Sequence, residues 1–206
     1  YLMEVSDELE QHRNIVFVTS DDWLDFSRTG SHVFSPFLRD TAACLRDIKI
    51  GSNFAVIPDE PFAAVYAPRL APESIYDDLY HSKNLSTFPL RLNEGEYVVY
   101  SISDLPTWKA SPITSIEPIA FVNGVQLTGY HAESNRLTLR WILPEATKDN
   151  YYYYLRLFDS NDQLILEKEI EFWPSQYWCE GDQLFSWVDI DELGEAYTVQ
   201  IGMLNK

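Results

Sequence analysis

Cysteine is scarce in this chain, with Cys44 and Cys179 the whole complement. They stand far apart with no CxxC pair, and His12, His32, His81 and His131 are scattered without metal-ligand spacing. A structural zinc site is therefore not expected, and no other metal or cofactor is called for. Two lone cysteines read as buried small apolar residues in preference to one long-range disulfide. Positive charge is also short: 15 basic residues against 32 acidic ones leave a net charge of −17. That balance repels phosphates and anionic headgroups, which excludes nucleic acid and peripheral membrane binding as expectations. No run approaches the roughly 20 apolar residues that cross a bilayer, and no charged-then-apolar leader opens the chain. The chain enters at Tyr1 in mid-pattern, as a piece of something longer would.

The motifs of common catalysis are missing as well. There is no GxGxxG or GxxxxGK[ST] phosphate cradle, no GxSxG elbow and no DxDxDG loop. The acidic pairs Asp21-Asp22, Asp77-Asp78 and Asp189-Ile190-Asp191-Glu192 suit acid/base work or a hard cation in type, but such pairs are expected in a chain this negative. Ser31 and His32 sit in SRTGSH, which reads as a polar loop. A small enzyme built on Asp21, Asp22, Ser31 and His32 would need a deep pocket around them. No catalytic residue is assigned.

What is present is apolar and aromatic. With 206 residues, 46% hydrophobic and 15% aromatic, the chain can fill a packed core. YLMEVSDELEQHR spaces Leu2, Val5 and Leu9 for a short amphipathic helix. NIVFVTS follows as a buried strand, with a brief helix expected at WLDFSR. In SPFLRDTAACLRDIKIGSN, Ser35 can cap and Phe37, Leu38, Ala42, Leu45 and Ile48 supply a helical stripe that Gly51 stops. FAVIP reads as a strand, EPFAAVYA as two turns of helix, and EGEYVVYSIS as a strand.

Residues 105–118 carry prolines and small polar residues without a sustained period, which marks a linker between domains at 1–104 and 119–206. Beyond it, short strands alternate with turns: AFVNGVQLTGYHA, NRLTLRWILP, YYYYLRLFD, QLILEKEIEFW, QLFSWVDI and AYTVQIGML. The expected fold class is α+β, a small N-terminal α/β domain followed by a C-terminal antiparallel β-sandwich.

The four consecutive tyrosines set the question of a site. Side chains alternate along a strand, so Tyr151, Tyr153, Leu155 and Leu157 share a core face, while Tyr152, Tyr154, Arg156 and Phe158 oppose them. Arg156 keeps its face at least partly wet. Tyr152 and Tyr154 are then either displayed to a ligand or spread over Arg140, Arg156 or a neighbouring domain. DSND at 159–162 turns the strand into a hairpin. In FWPSQYWCEGD, Trp173, Tyr177 and Trp178 either stack on sugar faces, with Glu180 and Asp182 binding hydroxyls, or plug the end of a core.

The second half, through Leu127 with Gly129-Tyr130, Leu137 to Leu139 with Trp141, Leu157-Phe158-Asp159, Trp178 with Gly181, and Gly194 with Tyr197 and Gly202, resembles a β-sandwich at the soluble C-terminal end of bacterial multi-membrane-spanning glycosyltransferases. These are the protein-mannosyltransferase-like enzymes that use lipid-phosphate sugars. The likeness covers residues 119–204, and FAVIPDE and EYVVYSISDLP resemble the segment ahead of it. Membrane helices and the acidic loop residues of catalysis have no counterpart here, so no catalytic residue carries over. The resemblance implies a non-catalytic region on the extracytoplasmic (periplasmic) face, which packs on the membrane domain of its parent chain or contacts a glycan or acceptor through Tyr152, Tyr154, Trp173, Tyr177 and Trp178. The alternative is a free-standing acidic protein-interaction module.

Overall fold

The structure is a computed structural model that describes residues 2–19, 44–49, 51–66, 79–80, 84–89, 96–109 and 112–205. It is mostly β and divides into two compact units, Tyr1–Ala110 and Ser111–Lys206.

The first unit opens with helix α1 (Leu2–Leu9), whose Val5 and Leu9 are buried while Glu4 and Asp7 face water. This is the amphipathic helix the spacing calls for. Five strands then form one sheet: β1 (Asn14–Thr19), β2 (Cys44–Lys49), β4 (Phe62–Tyr66), β5 (Asn84–Pro89) and β6 (Glu96–Ile102), in the order β2-β1-β4-β6-β5. A further strand, β3, spans Phe54–Ile57. β1 runs parallel to both β2 and β4, and β6 is antiparallel to β4 and β5. Every residue of β1 and β4 is buried, as strands covered on both faces must be. Tyr80 sits in this core with its ring edge-on to Phe62 and its hydroxyl donating to the carbonyl of Val56.

One expected helix is a strand, and so is the described part, 44–49, of another, whose Ser35, Phe37, Leu38 and Ala42 lie outside the described residues. Residues 44–49 form β2, where the stripe through Leu45 and Ile48 had pointed to a helix reaching Gly51. Pairing with β1 from Asn14↔Cys44 to Thr19↔Lys49 overrides the local period. Arg46 is buried within it and donates to the Asn14 side chain at 3.0 Å and to the Cys44 carbonyl at 3.2 Å. EPFAAVYA contains β4 in place of a helix, because a short, wholly apolar run carries no period that separates the two. The helix expected at WLDFSR and the groups Asp21-Asp22, Ser31-His32 and Asp77-Asp78 lie outside the described residues.

The second unit is antiparallel within its own strands. β7 (Thr114–Ala120), β8 (Gln126–Ala132), β9 (Arg136–Ile142) and β12 (Gln183–Asp189) are adjacent in the order β12-β9-β8-β7. β10 (Tyr151–Phe158), β11 (Leu164–Glu171) and β13 (Thr198–Asn205) form a second sheet, ordered β11-β10-β13. β8 to β13 fall where the alternating segments placed strands. β7 occupies part of the proline-bearing stretch at 105–118, and Pro118 falls where its ladder with β8 shifts register.

The expected turn at 159–162 is present. Asp159 accepts from the backbone N–H groups of Asn161 at 2.8 Å and Gln163 at 2.9 Å. Those two bonds hold its carboxyl below the ordinary range. β11 loses its alternation because the ladder slips between Leu157 and Phe158, which pair with Leu166 and Leu164 and leave Ile165 as the extra residue of a bulge.

Candidate functional site

The burial of β10 alternates strictly, with Tyr151, Tyr153, Leu155 and Leu157 inside and Tyr152, Tyr154, Arg156 and Phe158 half-buried. The inward tyrosines join an aromatic cluster that draws rings from both sheets. Trp141 of β9 packs against Tyr153 at 5.6 Å and edge-on to Phe172 at 5.3 Å. Phe172 meets Trp178 edge-on at 5.6 Å, and Tyr151 stacks on Trp178 at 5.2 Å. Such pairs add to the stabilisation that burial alone provides.

The Trp141 indole N–H donates to the Ser186 hydroxyl at 2.9 Å. Tyr153 is fully buried beside it, and burial pushes its phenol up to about 12, with Ser186 opposing the shift. Its hydroxyl nonetheless makes no hydrogen bond of good geometry, while the neighbouring Ser186 hydroxyl accepts from Trp141. Tyr151 donates to Asp149 at 3.1 Å, and burial, with the Asp149 carboxylate, raises its phenol too.

The loop 172–182 closes this end of the unit. Its indoles are not displayed: Trp173 and Trp178 are 4% and 2% exposed, and the Trp178 N–H donates to the Trp173 carbonyl at 2.9 Å. Neither can stack on a sugar without leaving the core. A loop folded back by a 3₁₀ turn at Ser175–Tyr177 brings them in, with buried Ser175 bonded to the Thr147 hydroxyl at 3.0 Å. Asp182 is completely buried, so it cannot meet a hydroxyl, while Glu180 is exposed. Tyr177 stays half-buried against Trp173.

On the outer face, Tyr154 lies across the strand on Gly202, where a Cβ would stand 2.1 Å from its ring. Arg156 sits 5.2 Å from the Tyr154 ring centre and is bidentate to Glu167. Tyr154 thus works as a cover for Gly202 and Arg156. Tyr152 is half-buried.

Both cysteines, expected as free and buried, are disulfide-bonded. A cross-link depends on proximity in space, which sequence spacing does not report. Asp189 of the acidic run is tied to Arg136 at 2.6 Å and 3.1 Å, and those bonds hold its carboxyl below the ordinary range.

A concave feature of the second unit lies elsewhere. An open cleft of about 460 Å³ runs between the sheets on the side of β7 and β13. Ile116 and Ile119 of β7, Leu127 and Tyr130 of β8, Leu139 of β9, and Tyr197, Val199 and Ile201 at β13 line it. Phe121 belongs both to the cleft and, 6.0 Å from Trp141, to the aromatic cluster, so the cleft begins where the packed core stops. Ile119, Tyr130, Tyr197 and Val199 are exposed there. The lining holds no carboxylate, imidazole, thiol or amine. It can bind apolar groups, and its polar side-chain groups are the phenols of Tyr130 and Tyr197. The size and lining suit a ligand site, yet none of these residues is assigned to one from the sequence. Ile116 falls in the proline-bearing stretch, and the aliphatic residues look like ordinary strand apolars.

Among the described residues, no group of three His, Cys, Asp or Glu side chains is placed to hold a metal, and no helix is long and apolar enough to cross a membrane. Comparison with protein-family models, curated proteins and solved structures finds no match to this chain.

Proposed function

We propose that this chain is a non-catalytic region of a bacterial membrane glycosyltransferase of the protein-mannosyltransferase-like kind, with an α/β domain ahead of a β-sandwich. The observation that carries the reading is that several residues of the resemblance are ones on which the second unit's packing turns. Trp141 and Trp178 build the aromatic cluster, Asp159 ties the hairpin turn, and Gly202 receives the Tyr154 ring. The disulfide-bonded cysteines favour an oxidising compartment, in keeping with an extracytoplasmic face. With Trp173 and Trp178 buried, glycan contact falls to Tyr152, Tyr154 and Tyr177. A hydrophobic part of an acceptor would use the cleft. The reading is tested in the encoding locus upstream of Tyr1. Several apolar spans of about 20 residues support it, and their absence removes it. In that case the second reading, a free-standing interaction module, stands on the open cleft and the charge of −17.

A further inference from the structure

The sheet β11-β10-β13 has two edges of opposite character. β11 carries Glu167, Lys168, Glu169 and Glu171, the charges with which natural edges discourage pairing. β13, TVQIGMLN, carries none, pairs only with β10 among the described residues, and leaves Val199 and Leu204 exposed. Across the cleft, β7 is likewise an edge strand, paired only with β8 among the described residues. Among the described residues, this unguarded edge beside an apolar cleft has neither backbone partners nor covering side chains.

We infer that the cleft between β7 and β13 accepts an extended peptide segment as an added strand, with alternate aliphatic side chains entering the cleft and lysine or arginine at one end. Main-chain bonds to β13 supply affinity and the cleft selects the side chains. The charge preference comes from the cleft's end at Ala132 and Tyr197. There the exposed Glu133, Asp191, Glu192 and Glu195 gather where the 3₁₀ turn Asp191–Glu195 meets the β8–β9 turn. Nearby Arg136 is bound to Asp189, and His131 faces Glu133 at 3.3 Å. A second copy of the chain would bring another −17 and be repelled. A lone acyl chain would fill the cleft and leave the β13 edge unpaired. The inference does not depend on the glycosyltransferase reading.

The test titrates the full chain with a fluorescent, end-blocked ten-residue peptide that alternates valine and threonine and ends in two lysines. Saturable one-to-one binding is expected. It should weaken at least tenfold in Ile119→Asp and in Tyr197→Asp, the latter at a site 78% exposed where folding is not at stake. A peptide ending in two glutamates should also bind at least tenfold more weakly, and N-methylation of one of the two alternate sets of amides should abolish binding. The inference is overturned by no saturation at millimolar peptide, by equal binding of both N-methylated peptides or of the glutamate peptide, or by displacement with dodecyl maltoside at concentrations that leave the fold intact. A dimer in sedimentation velocity that Val199→Asp dissociates would also overturn it, by giving the cleft to a second copy.

Discussion

The second unit has two ends built from the same pair of sheets, and they are finished in opposite ways. At one, Tyr151, Tyr153, Trp141, Phe172 and Trp178 interlock under the loop 172–182. At the other, Ile119, Tyr197 and Val199 face an open cleft. The consecutive tyrosines and the aromatic loop belong to the closed end, whereas the open cleft is lined by scattered aliphatic residues with Phe121, Tyr130 and Tyr197. The aromatic-rich loop therefore marks structure here, and the open cleft lies where the chain is less conspicuous.

The contrast can be broken in graded ways. The largest effect is expected for Trp141→Ala, which empties the centre of the aromatic cluster and should cost about 3–5 kcal/mol in urea unfolding. Alkaline pH comes next. Tyr153 has an ordinary value of 10.0 and is held at about 12 when folded, so between those values the unfolded chain loses its proton while the folded one keeps it. This contribution to stability is intact below pH 10 and is lost as pH rises towards 12, at about 1.4 kcal/mol per pH unit. Tyr153→Phe should remove that slope and leave neutral-pH stability unchanged or slightly higher, because the lost hydroxyl was unpaired. Unfolding of both proteins at pH 9, 10, 11 and 12 gives the difference.

A Cβ at Gly129 would stand 2.6 Å from the Ile113 side chain and 2.9 Å from the Thr114 carbonyl. Gly129→Ala should therefore cost about 1–3 kcal/mol and shift β7, with peptide binding at the cleft disturbed in parallel. The smallest effect is expected for Arg136→Ala, an exposed ion pair, at no more than about 1 kcal/mol in the same assay.

The legible parts of the fold were those with a clean period. β10 alternates in sequence as it does in burial, and the Asp159 turn follows from side chains that bond their own backbone. The first unit was harder to read, because parallel pairing decides β2 and because β4 is apolar at every position. Of the five candidate aromatics, Trp173 and Trp178 turned inward because a 3₁₀ turn folds their loop back, which composition does not encode. The cleft was illegible since it arises from where the two sheets part, a relation between strands distant in sequence.

The most direct measurement compares urea unfolding of Trp178→Ala with that of the triple variant Ile119→Ser, Tyr197→Ser and Val199→Ser. The single change at the closed end should cost about 3–5 kcal/mol. The three at the open end should together cost about 1 kcal/mol or less. A triple variant destabilised as much as Trp178→Ala would contradict the division, and would make the cleft part of the core that holds the unit together.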